Sequence, residues 1–236
     1  MKKLISVLLA GLLAAAMGGC SGTDGLTASA GEKLQVGIVQ IMEHTSLDTI
    51  RESFLQQMEQ LGYGEDKVDY DIQNAQGEQT NLGTICQKFV GDGVDMIVAI
   101  ATPTAQTAAA STSEIPILFS AVTDPVEAKL LTDPQHPDGN VTGTSDAIPV
   151  DQVMQLCQEL TPEVHKIGFM YTTSEINSQV TTEQAMEAAE QMGYETQLMT
   201  ISEVSELQQA AQSLAQEVDA IYVPIDNTIA QAMPVL

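Results

Sequence analysis

Polar residues recur in this chain as short groups, each just past an apolar run. Six groups stand out: Glu43-His44-Thr45-Ser46, Asn74-Ala75-Gln76, Thr102, Thr123-Asp124, Glu175-Ile176-Asn177-Ser178 and Asp226-Asn227. They form no catalytic constellation. His44, His136 and His165 are far apart and stand beside no Cys nucleophile or metal pair. No H-E-x-x-H, P-loop, G-x-S-x-G or G-x-G-x-x-G run occurs. The reading is therefore a binding protein, not an enzyme, with no metal and no cofactor. One carboxylate of a ligand can rest on a helix N-terminus at Thr102 or Ser46, each worth about 0.3–1 kcal/mol. Asp124, Glu175 and Asp226 can hold an ammonium. Anion sites usually add Lys or Arg to helix N-termini and hydroxyls. These groups contain neither, and Arg51 lies a turn inside a helix, so phosphate, sulfate and dicarboxylates fit poorly. A zwitterion, meaning an amino acid, fits better. A sugar is disfavoured, because the chain has no Trp and only 4% aromatic residues to stack on a ring.

The elements that must position these groups follow from periodicity. Apolar runs at Lys33–Ile41, Val68–Gln73, Met96–Ala101, Ile117–Ala121 and just after Asn140 read as five strands of a first half. Lys166–Tyr171, Glu195–Thr200 and Ala220–Val223 read as three of a second. Helical segments lie between them, including Val126–Leu131 and a continuous helix over Val204–Glu217. Thr45-x-x-Asp48 reads as a capping-box-like start, and Gly91 as a helix stop. Thr102-Pro103 and Thr123-Asp124-Pro125 each pair a capping oxygen with a Pro suited to the first helical turn. Alternation with short crossovers implies a doubly wound parallel sheet in each half. Taken singly, each polar group is an ordinary helix cap. All six, however, fall at carboxyl ends of parallel strands, where open α/β sheets bind ligands. Two facing rims with a hinged cleft are expected.

Composition sets further bounds. The 236 residues, 44% hydrophobic, suffice for two small lobes. The formal net charge is −24, from 8 Lys+Arg against 32 Asp+Glu. That excludes a nucleic-acid partner, which would need clustered basic residues. Lys2-Lys3 followed by the apolar Leu4–Ala16 reads as a signal peptide over residues 1–19. Met17-Gly18-Gly19-Cys20 resembles a bacterial lipobox, with Cys20 lipidated and residues 20–33 a flexible tether. Two acyl chains on Cys20 would anchor the protein stably to the cell membrane on its outer, extracytoplasmic side. Cys86 and Cys157 read as two buried free thiols, since a bridge between lobes would lock a hinge. Residues 34–145 form the expected N-terminal lobe and residues 146–236 the C-terminal lobe. With three strands against five, the second lobe reads as incomplete, short of a full unit by roughly 80–100 residues, and the chain as poorly folding alone.

Several runs carry a family resemblance: NAQGEQTNLGTICQKFV, DMIVAIATPTAQTAA, IPILFSAVTDPVEAKL, GNVTGTSDAIPV, YTTSEINS and DAIYVPIDNTIA. Together, in this order, they resemble motifs of ABC-transporter substrate-binding lipoproteins of the TrpX-like family. The resemblance implies a type 1 periplasmic-binding-protein fold and a membrane permease as partner. It also implies an amino-acid ligand, aromatic by analogy. Carried over by motif, the ligand-facing positions are Glu43, Thr45, Ser46, Asn74, Gln76, Thr102, Thr123, Asp124, Ser145, Asp146, Glu175, Asn177, Ser178, Asp226 and Asn227. The alternatives on the same fold are a ligand-sensing domain of a signalling system and a nucleoside or sugar receptor.

Overall fold

The computed structural model describes residues 33–137 and 139–236. Cys20, the signal segment and almost all of the tether lie outside the described residues.

The first half is β1 (Leu34–Gln40), α1 (Thr45–Gln60), β2 (Val68–Asn74), α2 (Gln79–Asp92), β3 (Met96–Ile100), α3 (Thr102–Ser111), β4 (Ile117–Val122) and β5 (Val141–Ser145). These strands form one parallel sheet in the order β2-β1-β3-β4-β5. Its central strands are nearly continuous apolar runs because both faces are buried. Ile38, Ile97 and Ile100 have no exposed surface. Phe89 on α2 lies across Gly37, where an added Cβ would meet its ring at 2.6 Å. Burying that ring contributes on the order of 1.5–3 kcal/mol, and glycine is what lets helix and strand approach this closely.

The second half is α4 (Val150–Leu160), β6 (Lys166–Thr172), α5 (Ile176–Gln191), β7 (Glu195–Ile201), a 3-10 turn (Val204–Glu206), α6 (Leu207–Leu214), β8 (Ala220–Tyr222) and α7 (Asn227–Gln231). Its parallel sheet runs β7-β6-β8. Successive residues of β6 feed opposite cores. Ile167 and Phe169 pack with Met154, Ala185 and Ala189, and Phe169 meets Tyr222 at 5.5 Å between ring centroids. Met170 packs with Leu207, Leu214 and Ile229 on the other face. Leu214 presses on Gly168, where a Cβ would lie 2.7 Å away.

Several local expectations are corrected. Val126–Leu131 is a run of turns rather than a helix. Leu130 and Leu131 both donate to Pro125 O, and Lys129 takes φ 59°. A residue in that left-handed region ends any helical run. The second glycine of Gly91-Asp92-Gly93 is the true stop of α2, with φ 67° and its N–H bonded to Val90 O, as a left-handed C-cap requires. The helix expected over Val204–Glu217 divides into the 3-10 turn and the shorter α6. Thr45-x-x-Asp48 makes no capping box. Asp48 instead accepts from Gln40 Nε2 at 2.9 Å and Arg51 Nη1 at 3.1 Å, and the N-cap is His44, whose side chain makes no capping bond. The chain's single Arg is thereby committed to shaping the β1–α1 turn. Cys86 and Cys157 are both free; Cys86 is buried as expected, but Cys157 is partly exposed rather than buried.

Candidate functional site

In both sheets the strand order reverses direction beside a central strand, β1 in one and β6 in the other. Open α/β sheets bind ligands at such switch points. The turns after β1, β6 and β8 meet there. His44 Nε2 reaches Asn227 Oδ1 at 3.4 Å, and Ile176 of α5 packs against the first-half core. Beside this junction lies a cleft of about 240 Å³. That is smaller than the roughly 300–1,000 Å³ of pockets for drug-sized molecules, and suits a metabolite.

The polar wall of the cleft consists of His44, Ser46, Asp146, Asn177, Asp226 and Asn227. The apolar wall includes Leu47, Ile50, Ala121, Val223, Pro224 and Met233. A second cavity of about 200 Å³ is lined by Met42, Gly77, Pro103, Ser174, Glu175 and Thr228, among others. Neither has a Lys or Arg in its lining.

Two oxygens in the first cleft are buried without a hydrogen-bond partner: Asp146 Oδ1 and Asn177 Oδ1. Such groups cost about 1–3 kcal/mol each when left unmet. Asp146 follows β5 in the connection between the halves. Burial pushes its pKa above the ordinary carboxylate value, opposed in part by the nearby Thr123 hydroxyl and by its own backbone N–H. The Thr123 hydroxyl lies close without closing a bond of normal geometry, since Thr123 Oγ1 is itself buried and unpaired. Asn177 is 4% exposed. Its Nδ2 donates to Ile225 O at 2.8 Å, which turns its carbonyl oxygen the other way.

Glu175 and Asp226 are also buried, but they are fully engaged within the fold. Asp226 accepts from Thr172 N at 2.7 Å, Thr172 Oγ1 at 2.9 Å and Ile229 N at 2.9 Å, which caps α7. Glu175 accepts from the backbone N–H groups of Asn227 and Thr228, both at 3.0 Å. Burial, and then the charge of Asp226, raise the pKa of Glu175, while the donors from Asn227 and Thr228 oppose the rise.

The sequence-chosen residues therefore divide. Ser46, Asp146, Asn177, Asp226 and Asn227 share one cleft, and Glu175 lines the neighbouring cavity. Ser178 is buried beneath them, with its hydroxyl donating to Ile225 O at 3.1 Å. Asn74 Oδ1 accepts from Gln76 N at 2.7 Å and shapes the β2–α2 turn. Asp124 Oδ1 accepts from Val126 N and Glu127 N and shapes the turn after β4. Ser145 Oγ donates to Thr123 O at 2.9 Å. Glu43 and Thr45 are exposed. Thr102 is buried but caps nothing: Ala101 is the N-cap of α3 and Thr102 the first helical residue. Ala101 has φ 81° and ψ 156°, a conformation essentially reserved for glycine, with a cost of about 1–3 kcal/mol. Gln76 and Ala121, past β2 and near the end of β4, also have positive φ. Backbone strain is thus concentrated along the first half's rim. His44 lines the cleft although sequence reasoning left it out of the ligand-facing set; its place inside the Glu43–Ser46 turn was the available signal.

Two parallel α/β lobes meeting at their strand ends around a polar, cation-free cleft define a two-lobed receptor for a small molecule, of the type 1 periplasmic-binding-protein fold. The chain belongs to the ABC transporter substrate binding protein family, whose model matches residues 35–236. It is 42% identical over 244 residues to the tyrosine-binding protein of Clostridioides difficile (strain R20291), covering 100% of this chain and 71% of that one. The crystal structure of an ABC domain in complex with L-Trp from Streptococcus pneumonia is similar, with a TM-score of 0.84 and 37% identity, covering 86% of this chain and 69% of that one. A ligand-free, open substrate binding protein with adhesive properties from Clostridium difficile gives a TM-score of 0.61 at 39% identity and the same coverage.

Proposed function

We propose that this protein captures an amino acid, with an aromatic side chain, between its lobes. It is held at the membrane through a lipidated Cys20 and delivers the amino acid to the permease of an ABC importer, without chemical turnover. The observation that carries the reading is the pair of buried, unpaired oxygens in one cleft, Asp146 Oδ1 and Asn177 Oδ1. Both are acceptors, one belongs to a carboxylate, and no cation lines the cleft. An ammonium satisfies them.

The carboxylate of the same ligand rests on the start of α1. The N–H groups of the first turn have no intrahelical acceptor, and His44 gives them no side-chain cap. Ser46 adds a hydroxyl, and α1 is long enough to carry a dipole. The ring lies on Leu47, Ile50, Val223, Pro224 and Met233, the apolar wall of the same cleft. The aromatic choice is supported by the tyrosine-binding relative and the L-Trp complex.

Isothermal titration with L-tyrosine, L-tryptophan, L-leucine, uridine and glucose tests this. The aromatic amino acids bind, and removal of the amino group, as in 3-(4-hydroxyphenyl)propanoate, weakens binding at least tenfold. Equal binding of the des-amino analogue overturns the ammonium site. Saturable binding of glucose or uridine alone overturns the ligand class.

A further inference from the structure

We propose that Glu175 is a positioning residue that sets the polarity of the cleft without touching the ligand. The proposal rests on the amino-acid reading above. A carboxylate at a strand end, beside a ligand cleft, would ordinarily be assigned to the ammonium itself. Here its capacity is spent. Oε2 accepts from Asn227 N at 3.0 Å, Asn227 Nδ2 at 2.6 Å and Asn177 Nδ2 at 3.3 Å. Oε1 accepts from Thr228 N at 3.0 Å and Thr228 Oγ1 at 3.1 Å. An ionised carboxylate has about four lone-pair sites and no donor. Five incoming donors leave nothing for a ligand, and the side chain is 3% exposed.

The consequence lies in the two asparagines. Because Glu175 can only accept, Asn227 must turn its NH₂ toward it. Asn227 Oδ1 then faces the other way, toward His44 of the first lobe at 3.4 Å and into the cleft. Asn177, which lines the same cleft, is held in the same sense by three acceptors, Glu175 Oε2, Ser178 Oγ and Ile225 O, so its Oδ1 is turned away from them and is unpaired. For Asn177 the Ile225 carbonyl suffices. For Asn227, Glu175 is the acceptor of the NH₂ among the described residues, so its orientation depends on Glu175. The second lobe thus turns both amide NH₂ groups onto its own acceptors and keeps both amide oxygens free of them, so an ammonium meets no competing NH₂.

The test is Glu175→Gln, read as the ratio of affinities for L-tyrosine and 3-(4-hydroxyphenyl)propanoate. A glutamine leaves one acceptor oxygen where there were two, so its NH₂ faces either Asn227 or Thr228; facing Asn227, it makes that side chain relieve the clash by turning its own NH₂ into the cleft. The L-tyrosine affinity is expected to fall roughly 10- to 150-fold, the range for one hydrogen bond to a charged group. The des-amino analogue is expected to change less than threefold. A purely structural role would weaken both ligands alike, which overturns the proposal. Adding Asn227→Asp to Glu175→Gln restores an acceptor toward the cleft and must restore the preference for the amine. Should Glu175→Gln fail to fold, Asn227→Ala removes the dependent oxygen directly; it must lower L-tyrosine affinity selectively, and unchanged selectivity overturns the proposal. If the unmutated protein itself does not prefer L-tyrosine to its des-amino analogue, the amino-acid reading fails, and this proposal with it. If it does and Glu175→Gln retains that preference, the role of Glu175 alone fails.

Discussion

Asp146→Asn should move affinity and stability in opposite directions. The substitution keeps the shape and one acceptor oxygen but removes the charge. A hydrogen bond to a charged partner is worth about 1.5–3 kcal/mol, so L-tyrosine should bind roughly 10- to 150-fold more weakly. In the ligand-free protein the same change removes a half-buried carboxylate whose buried Oδ1 has no partner, so the thermal midpoint should rise. The pH dependence follows with definite sign. Burial raises the Asp146 pKa in the folded state, so the folded protein holds its proton to higher pH than the unfolded chain does. The corresponding stability is present below the ordinary carboxylate value and is lost as pH rises through the raised one. Asp69, Asp71 and Asp219 are lowered and behave oppositely, losing their contribution as pH falls. The difference between wild type and Asp146→Asn, measured by calorimetry from pH 3.5 to 8, isolates the Asp146 part. Affinity should fall below the raised pKa in wild type only, with proton release on binding there. An Asp146→Asn protein that binds L-tyrosine within threefold of wild type, or loses the des-amino analogue equally, refutes the ammonium assignment.

Two further predictions concern the scaffold. At Gly143 an added Cβ would lie 2.1 Å from Phe119 O and 2.5 Å from the Phe119 ring. Backbone cannot yield as a side chain can, so Gly143→Ala should cost about 1–3 kcal/mol and lower the melting temperature by roughly 2–12 °C; an unchanged melt contradicts the packing described. Leu214→Ala empties a fully buried site over Gly168 and should cost about 2–5 kcal/mol. Its amide exchange should quicken in β6, β7 and β8 while β1 and β3 stay protected, and uniform loss of protection would show that the two sheets unfold as one unit.

The strands and the polar turns were legible because both have local causes. Apolar runs bounded by cap residues specify a buried parallel strand followed by a helix. Ser46, Asn177 and Asn227 were found from that pattern alone. Asp146 was not, and entered only through the family resemblance. It follows a strand but starts no helix, so no cap signal marks it. The apolar wall was invisible for another reason: Leu47 and Val223 become neighbours only when two sheets, far apart in sequence, face each other. Glu175 shows the harder limit. Its residue type and its place at a strand end fit an ammonium ligand, yet the donors that occupy it stand 52 and 53 positions away. A carboxylate that serves a ligand and one that serves a neighbouring turn have the same local sequence.

The contact between the lobes bears on how binding closes the molecule. Among the described residues one side-chain hydrogen bond joins the two rims, His44 Nε2 to Asn227 Oδ1, and at 3.4 Å it is long for a hydrogen bond. Since Asn227 can only accept there, His44 must carry its proton on Nε2. Such a bond is worth at most about 0.5–1.5 kcal/mol, too little to hold two lobes shut against their conformational freedom. A ligand that reaches from Ser46 on one rim to Asn177 on the other adds several bonds present only in the closed form, and closure is biased by that difference alone. His44→Ala should therefore weaken L-tyrosine binding only about 2- to 12-fold. It should also shift the ligand-free protein toward a larger radius of gyration in small-angle scattering, with compaction recovered at saturating ligand. If the ligand-free radius is unchanged, or the affinity loss exceeds a hundredfold, His44 acts on the ligand itself and not through closure.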